Sequence, residues 1–215
     1  MKASRDRLVK PEKQKKQEKP EKPATNIRSF TFEEFVERVK NFHSYPAPGV
    51  LIGGFMVELA YRHLPEGGLF DAISETPKCL PDSIQLLTPC TVGNGWLTVL
   101  NLGRYALTLY DKKTGEGIRV FVDPARIEPW VEIKNWFFKL KPKKEQDEQL
   151  LRKQIKEAGT TIYGVQHVRV KDRIVEKKHR SGFAVCSRCK ESYPIEDGAL
   201  CLACQAVDPY VSPAS

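Results

Sequence analysis

No run of about 18 apolar residues occurs anywhere in the chain, the minimum a helix needs to cross a bilayer, so no membrane span is encoded. The opening MKASRDRLVKPEKQ lacks the apolar core of a secretory signal, and the expected compartment is the cytoplasm. Nucleotide fingerprints are missing as well. There is no P-loop, and Gly93-Asn-Gly95 lacks a third glycine and leads into a strand pattern, not a helix. No Ser/His/Asp order of a hydrolase is defensible from spacing, and no internal repeat is present. Acidic residues are sparse at the N-terminus, where residues 1–23 hold nine Lys/Arg against four Asp/Glu, part of a formal charge of +8. That segment has no hydrophobic periodicity and no aromatics, so residues 1–25 are expected to be a disordered basic tail. Its interleaved Lys and Glu favour a solvated extension over a nucleic-acid arm.

Cysteine, by contrast, is patterned. Four of the six cysteines form two CxxC pairs, Cys186-Ser-Arg-Cys189 and Cys201-Leu-Ala-Cys204, separated by 11 residues. Each pair brings two thiolates to one point, and two pairs complete the sulfur tetrahedron of a structural Zn²⁺. Asp197-Gly198 is a turn signal that lets the spacer fold back and join the pairs. A redox dithiol needs only one CxxC; iron in the same four thiolates is the alternative to zinc. Metal-bound thiolates rather than disulfides fit a reducing compartment. The reading is one zinc per chain, in a finger over residues 183–206, followed by a disordered tail at 207–215.

The rest of the chain reads as one α+β core over residues 26–170, with a mixed or antiparallel sheet. Thr31-Phe-Glu-Glu34 fits a capping box, and Phe32, Phe35, Val36, Val39 and Phe42 then recur at helical spacing, which predicts a helix over 31–42. Residues 50–63 form a second helix, apolar on most faces and therefore buried; Gly53 and Gly54 inside it call for close packing against another element. Strands are predicted over 69–75, 96–102 and 165–170, and a hairpin over 106–111 and 118–123 with its turn at 112–117. A short helix over 82–87 takes Asp82 as N-cap, and a charged helix runs from Pro142 to Ala158 with Gly159 closing it. The aromatic stretch Trp130, Trp136, Phe137 and Phe138 fits core or dimer contact better than base stacking. Strands and helices mix without strict βαβ alternation, hence α+β. Residues 171–182 hold six basic and two acidic residues and form a linker to the finger.

The two remaining cysteines, Cys79 and Cys90, flank the short helix 82–87, and His43 lies in a loop after the first helix. One His and two Cys from loops, with an open fourth position, is the pattern of a catalytic or ligand-binding metal site; the alternative is that all three are packing residues. Asp82 and Gln85 stand beside this cysteine wall and would bind a polar ligand there, although Asp82 as a plain N-cap is the simpler role.

Three segments carry a resemblance: Phe42-His-Ser-Tyr-Pro-Ala-Pro-Gly49, Cys79-Leu-Pro-Asp-Ser-Ile-Gln85, and Cys90-Thr-Val-Gly-Asn-Gly-Trp-Leu97 with Asn101-Leu-Gly-Arg104. Their order and spacing resemble those of the FmdE-like proteins, a family that takes its name from formylmethanofuran dehydrogenase. The resemblance covers roughly residues 30–170 plus the finger, which some members append. It implies an α+β core, a treble-clef-like finger and an intertwined dimer. It also implies a core metal site, but the family's second His and its Cys in the first segment are here Tyr45 and Ala47, a poor ligand and none at all. A second metal would then rest on His43, Cys79 and Cys90 alone.

Three functions follow in order. The first is a cytoplasmic zinc-binding protein whose core holds a small molecule or second metal and whose finger mediates homodimer or partner assembly. The second is an enzyme or accessory component in formylmethanofuran or molybdopterin-type one-carbon metabolism; the substitutions at Tyr45 and Ala47 argue against a metal-activated water. The third, less favoured, is a nucleic-acid-binding regulator, drawn from the eight Lys/Arg between Arg169 and Lys190, whose charge four zinc-bound thiolates partly offset.

Overall fold

The computed structural model describes residues 26–64, 67–175, 182–205 and Tyr210. The tails expected at 1–25 and 207–215 lie outside the described residues, Tyr210 excepted. The chain divides into two compact units at Arg169/Val170.

The larger unit opens with two short strands, β1 (Asn26–Ile27) and β2 (Phe30–Thr31), paired antiparallel. Helix α1 (Phe32–His43) follows with the capping box formed in full: Glu34 N–H donates to Thr31 Oγ1, and the Glu34 carboxylate accepts from Thr31 N at 2.8 Å. Phe32, Phe35, Val36 and Val39 are its buried stripe, each worth roughly 1.5–3 kcal/mol on removal from water.

Helix α2 (Pro48–His63) is the centre of the core, buried from Gly49 to Ala60. It starts at Pro48, two residues before the predicted Val50, because proline at the first turn forgoes only an N–H that would be orphaned anyway. The glycine pair explains itself in the packing. A Cβ on Gly53 would collide with Ser83 Oγ, and one on Gly54 with the Phe35 ring. Both neighbouring helices can therefore approach α2 closely. Ser83 uses that closeness to donate its hydroxyl to Val50 O at 2.9 Å.

The main sheet has five strands in the order β4-β3-β5-β6-β7. These are β3 (Phe70–Ser74), β4 (Leu97–Val99), β5 (Ala106–Asp111), β6 (Glu116–Val122) and β7 (Tyr163–Arg169). Only β3 and β4 pair in parallel, joined through helix α3 (Leu80–Leu87); every other neighbour is antiparallel, so the sheet is mixed. Tyr163 on β7 is fully buried and ties the sheet to α2 by donating to Ile52 O at 2.9 Å. The β5–β6 turn forms where predicted, with Asp111 Oδ1 accepting from Lys113 N and Thr114 N at 2.8 Å.

Between β6 and β7 lie α4 (Pro124–Ile127), α5 (Val131–Phe137) and α6 (Glu148–Ala158). The single charged helix expected from Pro142 is interrupted. A 3-10 turn covers Lys143–Glu145, and α6 begins only after Asp147, whose carboxylate caps Leu150 N at 2.9 Å. A good N-cap in mid-segment restarts the helix. Helix α3 also differs from expectation: it begins at Leu80, with Cys79 rather than Asp82 at the N-cap, so Asp82 sits in the first turn and is free for another partner.

The second unit opens with a single turn, α7 (Asp172–Val175), inside the expected linker; residues 176–181 lie outside the described residues. Strands β8 (Phe183–Val185) and β9 (Ser192–Pro194) pair antiparallel, and a 3-10 turn over Ile195–Asp197 ends at Gly198. The turn signal at Asp197-Gly198 thus does fold the spacer back.

Candidate functional site

The finger presents a closed set of four sulfurs. The sulfurs of Cys186, Cys189, Cys201 and Cys204 all lie within 4.8 Å of one another. Cys189 and Cys201 stand 3.6 Å apart, close to the ~3.8 Å edge of a tetrahedron with Zn–S bonds of about 2.3 Å. The backbone prepares the site. Lys190 N–H donates back to Cys186 O at 2.9 Å, which tightens the first CxxC turn, and Gln205 N–H closes the second onto Cys201 O at 3.1 Å. Backbone amides of Cys189 and Cys201 aimed at the Cys186 sulfur hold its thiol down to about 6. Burial and the neighbouring sulfurs push Cys204 up to about 12. Four sulfurs this close cannot all be anionic without a cation among them, and Zn²⁺ supplies one. The donor set fits structural zinc.

The core cysteines behave differently. Among the described residues, the finger's four sulfurs are the one set of three or more His, Cys, Asp or Glu donors gathered closely enough for a metal. His43, Cys79 and Cys90 are not brought to one point. Cys90 is fully buried, its thiol 3.6 Å from Phe70 O on β3, in the neighbourhood of Tyr61 and Tyr110. Cys79 instead faces Tyr105 and the start of α2. His43 Nδ1 lies 2.6 Å from Asp82 Oδ2. A metal shared by His43, Cys79 and Cys90 is not shown: Cys90 lies against β3 and Cys79 against the start of α2, a placement that loop positions in a sequence do not reveal. Asp82 is thus the partner of His43, and Gln85 Oε1 accepts from Val92 N at 3.3 Å. Neither lines the large cavity of the core unit.

That cavity, about 970 Å³, opens in the core unit between the start of α2, the Cys79 turn, and the segment from α5 to α6. Its wall at α2 is tight. Tyr105 Oη donates to Gly49 O at 2.7 Å, and a Cβ on Gly49 would stand 2.8 Å from Cys79 Cβ and 2.9 Å from Tyr105 Oη. Glycine there lets both side chains press against the helix start. Burial, then the nearby Cys79, Tyr163 and Asp82, push the Tyr105 phenol well above its usual range. Burial also raises the Cys79 thiol; Asp82 adds to this and Lys78 offsets part of it. Both groups are neutral near pH 7.

Aromatic rings line the cavity: Tyr45, Tyr105, Trp136 and Phe137, the last edge-on to Tyr105 at 6.0 Å. Cations surround them. Lys78, Arg104, Lys139, Lys141, Lys143 and Arg152 contribute to the lining against the single carboxylate of Glu148. Arg104 is paired with Glu75 at 2.7 Å and Lys141 with Glu132 at 3.3 Å. Two cavity residues hold uncommon backbone: Cys79 at φ 57° and ψ −46°, and Lys139 at φ 55°. Such conformations cost about 1–3 kcal/mol and persist where surrounding structure enforces them. Of the residues that the sequence singles out, Cys79, Tyr45 and Arg104 line this cavity, but nothing in the sequence joins them into one site. Trp136 and Phe137 pack against the core as expected and also face the cavity, and the lysines that follow them resemble any solvated charge run until the chain curls around the pocket.

The comparisons with known proteins agree with this architecture. Residues 42–170 match the family described as "FmdE, Molybdenum formylmethanofuran dehydrogenase operon", and residues 177–211 match the "FmdE treble clef zinc finger". A solved structure of a tungsten formylmethanofuran dehydrogenase FmdE-like protein from Syntrophus aciditrophicus is 56% identical. It superposes with a TM-score of 0.81, over 87% of this chain and 99% of that one. A protein of Archaeoglobus fulgidus described as a "Probable S-adenosyl-L-methionine-binding protein" is 29% identical over 188 residues, 78% of this chain. The match spans 51% of that protein's length, so this chain accounts for about half of it. The three core segments and the four-cysteine finger therefore have one source: the chain belongs to the FmdE family and carries that family's treble-clef zinc finger.

Proposed function

We propose that this protein is a small-molecule-binding member of the FmdE family. The core cavity is the ligand site, and the zinc finger is a structural module that mediates assembly with a second copy or a protein partner. The observation that carries the reading is the cavity itself. It is large, lined by rings with cations around them, and bounded by Cys79 and Tyr105, which the packing of α2 against α3 and β5 holds in place. Pockets of about 300–1,000 Å³ with an apolar lining and a few placed polar groups are the usual form of ligand sites. The Archaeoglobus fulgidus relative, named for binding a small molecule, supports binding over catalysis. Neither Cys79 nor Tyr105 is set up as a base, since both are neutral near pH 7. A metal shared by His43, Cys79 and Cys90 finds no support in the geometry.

Cys79 offers the test. Cys90 is buried and the finger thiols hold zinc, so Cys79 is the thiol expected to react with a maleimide in the folded protein. Its labelling, followed by peptide mass spectrometry, should slow when the small-molecule fraction of a cell extract is added, while labelling of the unfolded chain should not. An unchanged rate would contradict a ligand in the cavity. Assembly is read separately by light scattering. A mass near twice the chain's 24.5 kDa is expected, falling toward one chain when residues 171–215 are removed. Among the described residues, no helix is long and apolar enough to cross a membrane.

A further inference from the structure

We infer that the cavity takes a ligand combining a planar ring with several negative charges, the class to which nucleoside triphosphates belong. This rests on the cavity being the ligand site and adds what it binds.

The cavity's charge is unbalanced. Of the six cationic lining residues, Arg104 and Lys141 are matched by Glu75 and Glu132. Among the described residues, Lys78, Lys139, Lys143 and Arg152 have no carboxylate within ion-pair distance, and Glu148 is the cavity's one acidic residue. Like charges converging on a concave surface repel one another, and the low-dielectric wall behind them strengthens the field in the opening. A multiply charged anion relieves that repulsion at several points at once; a single carboxylate cannot.

The placement of the rings supplies the second half. Trp136 and Phe137 lie on α5, and Lys139, Lys141 and Lys143 follow directly on the same segment. Flat surface and charge are thus delivered by one stretch of chain. The positive φ at Lys139 belongs to the sharp exit from α5 that carries the lysines round the mouth. Lys143 Nζ stands 5.5 Å from the centroid of the Tyr45 ring, which also lines the cavity. The volume exceeds what a lone ion or inorganic phosphate would fill. S-adenosylmethionine presents a ring with a sulfonium cation, which the rim would repel.

Calorimetry on the full-length protein separates the parts, with ATP, adenosine, inorganic tripolyphosphate and S-adenosylmethionine as probes. ATP is expected to bind most tightly, with adenosine and tripolyphosphate each at least tenfold weaker. Raising salt from 50 to 500 mM should weaken ATP more than adenosine, because exposed cations are screened. Lys139→Glu/Arg152→Glu should lose at least tenfold in ATP affinity, and Lys139→Gln/Arg152→Gln less, both with an unchanged melting temperature. Binding of adenosine or S-adenosylmethionine as tight as that of ATP would overturn the anion inference and leave the cavity reading intact. So would ATP affinity indifferent to the charge reversals, or no ATP binding at millimolar concentration while cell-extract components still protect Cys79. If nothing protects Cys79, the cavity reading falls and the inference with it.

Discussion

Glu75→Gln isolates the ion-pair knot behind the cavity wall. The Glu75 carboxylate is 7% exposed and accepts from Arg119 Nε at 2.6 Å and Nη2 at 2.9 Å, a bidentate fork, with Arg104 Nε at 2.7 Å on the other side. Removing one partner from a buried pair costs about 3–5 kcal/mol, because a charge is left uncompensated. The cost here is smaller, since Arg104 is 60% exposed and its pair is largely solvent-screened, while glutamine keeps one acceptor for Arg119. A loss of about 2 kcal/mol at pH 7 is expected. Its pH dependence has a definite sign. Burial raises the Glu75 carboxyl, but the Arg119 hydrogen bonds and charge, joined by Arg104, outweigh it and hold it below the usual range. The stabilisation is therefore fully present above the unfolded-state value of about 4.3. It is lost as pH falls through the depressed folded-state value. Urea denaturation at several pH values provides the assay. The three tryptophans, Trp96, Trp130 and Trp136, all lie in the core unit, so their fluorescence reports that unit. Equal stability of variant and parent at pH 7, or a gap that fails to narrow in acid, would refute the reasoning.

Other expectations follow from packing and from the metal. Gly53→Ala gains about 1 kcal/mol of helix propensity but drives a methyl into Ser83, so a net loss of about 1–2 kcal/mol is expected by urea denaturation. Gly53→Ala/Ser83→Gly should be more stable than the sum of the single changes, and strict additivity would show that the two do not touch. Cys201→Ser should remove the one zinc per chain by elemental analysis and abolish dispersed NMR signals from residues 183–205, with the core melting temperature moving less than about 2 °C. Retained zinc, or an unaltered finger spectrum, would contradict that. Tyr163→Phe, which deletes only the hydroxyl donated to Ile52 O, should cost about 1 kcal/mol in the same denaturation assay.

What the sequence revealed divides along the range of the interactions involved. The capping box at Thr31, the buried character of α2, the β5–β6 turn and the metal-binding spacing of the finger are set within a few residues, and all could be read directly. The glycine pair in α2 announced close packing without saying against what; Phe35 and Ser83 lie far off in the chain. The core site was legible only in fragments. Cys79 lines the cavity, while Cys90 lies against β3 and His43 pairs with Asp82, an arrangement that depends on how α3 packs against α2 and β3. The start of α3 turned on Cys79 adopting a left-handed φ, which no propensity favours. The cationic rim escaped for the same reason: Lys78, Lys139 and Arg152 converge only through the tertiary path of α5 and α6, and a charge run in sequence does not show which way it curls.

Whether the core cavity holds a ring-bearing polyanion is tested most directly by calorimetric titration of the intact protein with ATP, before and after Cys79 is capped with a bulky maleimide. Saturable binding that the cap abolishes is the expected result. Binding that survives capping undiminished, or no binding to the uncapped protein, would contradict it.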